Sequence, residues 1–207
     1  MRLEARNVSF RYGKGPWILR DVSFVAEQNE RVGLSGPSGY GKSTLLKLLA
    51  GYEKPVSGEI LLDGNPLPQK GYCPVQLIHQ HPEKAVNPRW KLKDTLLEGG
   101  NTDEETFKAL GIEREWLERW PNELSGGELQ RFCVARSLGA NTKFLLADEI
   151  STMLDVITQA QIWNHILEVV TKNDIGLLAV THNLALAKRI CTRIVDLGYK
   201  GIPPYVE

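Results

Sequence analysis

Apolar and polar residues alternate along two stretches at the front of the chain, and period-two patterning of this kind predicts half-buried strands. Over residues 2–12 the apolar set is Leu3, Ala5, Phe10 and Tyr12, interrupted at Asn7, so that strand is expected to carry a break. The pattern resumes over 18–26 after the turn Gly13-Lys14-Gly15-Pro16, which predicts an antiparallel pair. Residues 31–35 read as a short apolar strand entering a glycine loop, and 43–50 as a helix closed by Gly51. Further strand signals fall at 59–62, 75–79, 143–147, 176–180 and 193–197. The later ones are separated by helical runs expected to be short, as in a parallel sheet with crossover helices. Between His81 and Asn141 strand signals vanish, and helical stretches at 92–98, 104–110 and 114–120 take their place. The expected fold class is α/β, a mostly parallel sheet with an antiparallel β subdomain at the N-terminal side and an inserted helical subdomain. One domain over 1–207 is expected, with 1–80 and 142–207 as its core and 81–141 as the insertion.

Composition narrows the class without naming a function. Lysine plus arginine number 25 and so do aspartate plus glutamate, giving no formal net charge. That balance argues against a nucleic-acid coat and a polybasic membrane anchor. With 42% hydrophobic and 24% charged residues, the chain is expected to fold as a globular protein. No apolar run approaches the ~18 residues of a membrane span. The opening Met1-Arg2-Leu3-Glu4-Ala5-Arg6 lacks the apolar core of a signal peptide. Cys73, Cys133 and Cys191 are odd in number and far apart, which suits a reducing, cytoplasmic compartment and buried thiols.

The first chemistry lies in Gly36-Pro37-Ser38-Gly39-Tyr40-Gly41-Lys42-Ser43-Thr44, which fits G-x-x-x-x-G-K-[ST] between an expected strand and an expected helix. Glycines let the backbone curl so that its N–H groups converge on phosphate oxygens, aided by the positive end of the helix. Lys42 is then expected to reach the β- and γ-phosphates, and the Ser43 hydroxyl to ligate Mg²⁺. A glycine-rich turn with an incidental lysine is the plainer alternative, and the strand–loop–helix context disfavours it. The second chemistry is Phe144-Leu145-Leu146-Ala147-Asp148-Glu149, an apolar strand running into two carboxylates. A buried strand that ends in acids places them at the carboxyl edge of a parallel sheet, where ligands bind. Asp148 can hold the shell of a bound Mg²⁺, and Glu149 can take a proton from an attacking water.

Leu124-Ser125-Gly126-Gly127-Glu128-Leu129-Gln130-Arg131 resembles the signature sequence of ATP-binding-cassette (ABC) ATPases, upstream of the acid pair as in that family. The resemblance runs from about Arg2 to Leu197, with every family motif present and in order. It implies a P-loop NTPase core and ATP hydrolysis with Mg²⁺ held by Ser43, Gln80 and Asp148. It further implies that Tyr12 stacks on adenine; a core strand aromatic is the plainer reading of that residue. Gln80 matches the family's sensor of metal and attacking water, and His182 its switch histidine. Ser125, Gly126, Gly127 and Glu128 match residues that act on nucleotide held by a second subunit. Asp155 matches an aspartate that communicates across the dimer. Three positions depart from the family pattern: Ile150 where proline is usual, Thr152-Met153 for a small pair, and Asn183 for aspartate. None removes a group that performs chemistry.

The segment Gln80-His81-Pro82-Glu83-Lys84-Ala85-Val86-Asn87-Pro88-Arg89 is similar to the importer branch for nickel, dipeptides and oligopeptides, as is Leu154-Asp155-Val156-Ile157-Thr158-Gln159-Ala160. The end at Glu207, without the extension common in peptide importers, leans slightly towards the metal-importer or accessory members. That likeness implies integral membrane permease subunits as partners and a second ABC ATPase subunit, copy or paralogue. It also implies a solute-binding protein acting indirectly and a peripheral place on the inner face of the cell membrane. Rival readings are a soluble ABC ATPase serving a metabolic complex and an ATP-gated clamp without turnover. His79 and His81 form a His-x-His pair without a third ligand nearby in sequence, so no metal site is expected there. Trp116 and Trp120, at i and i+4, are expected on one helix face in the core of the insertion.

Overall fold

A computed structural model describes residues 1–100, 103–151 and 154–197. Strands β1 (Arg2–Phe10), β2 (Leu19–Glu27), β4 (Ser57–Leu62) and β5 (Asn65–Pro66) form an antiparallel sheet in the order β2-β1-β4-β5. The break expected at Asn7 is present: its φ is 49, and the β1–β2 register shifts between Ala5 and Val8. Strands β3 (Arg31–Ser35), β6 (Val75–Ile78), β7 (Phe144–Asp148), β8 (Gly176–Val180) and β9 (Arg193–Asp196) form a parallel sheet in the order β6-β7-β8-β3-β9. Helix α1 (Lys42–Leu49) follows β3, and helices α5 (Val156–Lys172) and α6 (Leu184–Ile190) follow β7 and β8. At 17 residues α5 is not short, because Ile162, Trp163, Ile166 and Val170 recur at helical spacing and bury one continuous face.

The parallel strands are covered on both faces, as their unbroken apolar runs require. Phe144, Leu146, Leu178 and Val180 point into a core shared with Leu45 and Leu46 of α1 and with Leu3 and Phe10 of the antiparallel sheet. Their neighbours Leu145, Ala147, Leu177 and Ala179 point the other way, into a core with Leu92, Leu96, Phe132, Ile162 and Trp163. The molecule therefore has three layers, with the parallel sheet in the middle.

Between β6 and β7 the described residues carry helices and no strand: α2 (Leu92–Glu98), α3 (Glu104–Ala109) and α4 (Gly126–Ser137), with single 3₁₀ turns among them. One such turn, Arg114–Glu118, replaces the helix expected over 114–120 and stops short of Trp120. Trp116 is therefore 7% exposed while Trp120 is 41% exposed, so the two rings do not share a buried face. Helix α4 ties this segment to the sheet: Gln130 Nε2 donates to the His79 carbonyl at 3.2 Å, and Arg136 Nη1 to the Ala85 carbonyl at 2.7 Å.

Candidate active site

The glycine loop leaves β3 and enters α1 at Lys42, with Gly36, Gly39 and Gly41 at φ 138, 83 and 83. A side chain at Gly41 would be strained: its backbone is left-handed, and a Cβ there would lie 2.8 Å from Leu19 Cδ2. Lys42 is 6% exposed, and its ammonium donates to the carbonyls of Gly36 (2.7 Å) and Pro37 (2.9 Å). The lysine thereby braces the loop across its own mouth. Pro37, Ser38, Gly39 and Tyr40 form the exposed crest, and Ser43 and Thr44 lie half-buried behind it. Tyr12, just beyond β1, is 48% exposed and sets its ring edge-on to Phe10 at 4.9 Å; it is a surface aromatic, not a core one.

Strand order brings the other groups to the same edge. The Ser43 hydroxyl donates to Asp148 Oδ1 at 2.8 Å, joining the loop to the end of β7. Asp148 is buried, and that burial pushes its carboxyl above the usual aspartate range, the more so for Glu149 beside it, although the Ser43 hydroxyl pulls it back. A buried carboxylate and a hydroxyl, both oxygen donors, suit a hard divalent cation. Glu149 stands at φ 50, a left-handed conformation that costs a non-glycine residue about 1–2 kcal/mol. Its N–H donates to the Val180 carbonyl at 3.0 Å. Gln80 Nε2 donates to Glu149 Oε2 at 3.1 Å, and His182 Nε2 lies 2.8 Å from Glu149 Oε1. The ends of β6, β7 and β8 therefore converge on one carboxylate.

Ser125, Gly126, Gly127, Glu128 and Asp155 lie apart from that cluster, at two helix N-termini. Glu128 Oε2 accepts from the Ser125 N–H at 2.7 Å, and Ser125 Oγ accepts from the Glu128 N–H at 3.3 Å, a reciprocal cap on α4. Asp155 caps α5, its Oδ1 accepting from Ile157 and Thr158 at 3.0 Å each. A Cβ on Gly127 would lie 3.1 Å from Leu154 Cδ2, so the two helix starts abut. Among the described residues no hydrogen bond joins Ser125 or Glu128 to the phosphate loop. Thr152 and Met153 lie outside the described residues. Of the other departures, Ile150 is buried and Asn183 caps α6, accepting from the Leu186 N–H at 3.0 Å. The His79 ring packs edge-on against Tyr52, whereas His81 faces Glu83 at 3.5 Å, so the pair does not converge.

Residues 19–152 match the ABC transporter family. The nickel import system ATP-binding protein NikE of Staphylococcus aureus strain bovine RF122 / ET3-1 is 36% identical over 94% of this chain and 86% of its own. The same protein from strain N315 is 35% identical over the same shares. The dimeric structure of MJ0796, described as a bacterial ABC transporter cassette, shares the fold with a TM-score of 0.82 at 24% identity, over 99% of this chain and 98% of that one. A bacterial Atm1-family ABC exporter with ATP bound matches with a TM-score of 0.78 at 25% identity, over 97% of this chain and 37% of that one. Among the described residues no helix is long and apolar enough to cross a membrane. A phosphate loop, a paired strand-end acid and a capped glycine helix, in a P-loop fold and with relatives of this kind, make the chain a member of the ABC transporter family, an ATP-binding cassette that hydrolyses ATP.

Proposed function

We infer that this cassette drives a membrane permease that imports nickel, as a metal complex, with a peptide as the alternative cargo. The observation that carries the reading is the convergence of Gln80, Asp148, Glu149 and His182 beside the phosphate loop, in a chain 36% identical to a nickel import ATPase. Loop N–H groups and Lys42 bind the β- and γ-phosphates of ATP, and Tyr12 offers its exposed ring to the adenine. Ser43, Asp148 and Gln80 are the residues that would hold Mg²⁺, which when bound neutralises phosphate charge. Glu149 accepts the proton of the attacking water, while Gln80 and His182 hold its carboxylate in place. Hydrolysis yields ADP and phosphate, and the proton leaves Glu149 for solvent as the site reopens.

Ser125, Gly126, Gly127 and Glu128 serve the nucleotide of a second cassette, copy or paralogue, and Asp155 communicates across that dimer; the exposure of Ser125, Gly126 and Asp155 at helix N-termini supports that reading. Residues 81–141 act as the helical subdomain and 1–80 with 142–207 as the nucleotide-binding core. Exposed Trp90, just before α2, and Asp94, Leu97 and Glu98 on α2 line a groove of about 390 Å³. Its apolar floor fits an amphipathic helix of the permease. That docking puts the cassette on the cytoplasmic face of the membrane, with a solute-binding protein delivering cargo from the other side. The test is Glu149→Gln, assayed with the partner cassette present. ATP binding should persist, turnover should fall by roughly 10²–10⁴, and an ATP-bound dimer should accumulate in size exclusion. Unchanged turnover would remove Glu149 as base. Normal nickel uptake in cells lacking the protein would remove the cargo assignment.

A further inference from the structure

Glutamate adopts the left-handed backbone of Glu149, φ 50, only where its surroundings enforce it. The enforcing contacts lie on either side of the carboxylate. The Glu149 N–H is fixed to the Val180 carbonyl. Downstream, Ile150 is buried in the same apolar cluster as Ile162, Trp163 and Ile166 of α5. Ser151 is 9% exposed, and its Oγ accepts a hydrogen bond from the indole Nε1 of Trp163 at 3.3 Å. Trp163 is 3% exposed. A buried indole N–H is a donor with a single direction, so it specifies where its acceptor must stand.

We propose that the Trp163–Ser151 hydrogen bond is the tether that positions Glu149. It fixes the backbone two residues beyond the carboxylate to the rigid helix α5, and so keeps that carboxylate between Gln80 and His182. Isoleucine at position 150 is compatible with this backbone. A proline there would bias the preceding residue towards extended conformations, and Glu149 stands at φ 50. Trp163 touches no reacting group and is a positioning residue.

This inference rests on the reading of Glu149 as the base, and the experiment separates the two. Trp163→Phe keeps most of the ring and removes the N–H, and Ser151→Ala removes only the acceptor. In the full chain with its partner cassette, each should lower kcat by about tenfold and leave KM for ATP within about twofold. The double variant should be no slower than either single one, because both remove the same bond. Glu149→Gln is measured alongside. If it retains turnover, the base reading fails. If it abolishes turnover while Trp163→Phe and Ser151→Ala keep wild-type kcat, the tether alone is overturned. Additive losses in the double variant, or equal losses in kcat and ATP affinity, also overturn it, since they report a loosened site and not a lost positioning bond. Should Trp163→Phe fail to fold, Ser151→Ala carries the test.

Discussion

Lys42 has two attachments to the backbone it serves, so its removal has two effects. Without the ammonium, the Gly36 and Pro37 carbonyls lose their donor and incoming phosphates lose a cation. Lys42→Ala should therefore weaken ATP binding by at least about tenfold and lower Tm even without nucleotide. Nucleotide titration and thermal melts check both, and near wild-type affinity would remove the phosphate-loop assignment. A second residue-scale outcome concerns acid. Burial holds the imidazoles of His79 and His165 below the ordinary value of 6.5, and Lys47 and Arg136 add to this at His79. The folded protein keeps them neutral where the unfolded chain takes up protons. Stability is therefore full above 6.5 and is lost as pH falls through that value towards the folded pKa values. Tm should drop between pH 7.5 and 5.5, both set about one unit from the ordinary value, and His79→Gln with His165→Gln should flatten the slope. A wild-type Tm that rises on acidification would refute the account.

Helix starts carry much of the chemistry, and their caps can be weighed separately from it. Glu128 is held below the ordinary carboxylate range chiefly by the Ser125 N–H, with the Ser125 hydroxyl adding to it. Ser125→Ala should cost about 1 kcal/mol of stability, read from chemical denaturation. Ser125→Arg should leave ATP binding to a single chain intact and stop hydrolysis in the dimer; full activity would end the two-subunit model. Legibility in the sequence followed the same elements. Strand β8 and helix α2 have the limits that their patterns predict, because a buried apolar run and a helical apolar stripe are both local signals. Trp120 misled because i and i+4 spacing presumes an α-helix, and the chain there makes a 3₁₀ turn that ends before Pro121. Two-residue β5 had no pattern to read. The phosphate loop and acid pair were legible because each is contiguous. The Trp163–Ser151 bond was not, since nothing in a helical apolar face tells which indole N–H will find a hydroxyl on a neighbouring loop.

For the whole molecule, the groove beside α2 is the proposed meeting point of nucleotide chemistry and a membrane partner, because α4 binds both this segment and His79, between the end of β6 and Gln80. Trp90→Ala with Leu97→Glu should abolish co-purification with the permease and leave ATP affinity unchanged; retained co-purification would move the docking surface elsewhere.

The parallel sheet also sets a timetable for the newborn chain. β8 pairs with β3 on one side and β7 on the other, so it is the link between the phosphate loop and the acid pair. A nascent chain that has emerged only as far as α5 already carries Lys42, Gln80, Asp148 and Glu149, yet no strand holds β3 beside β7. Non-local pairing of this kind is slow and leaves apolar edges open until it is complete. Nucleotide-dependent protection from proteolysis is expected only once β8 has filled the gap between β3 and β7.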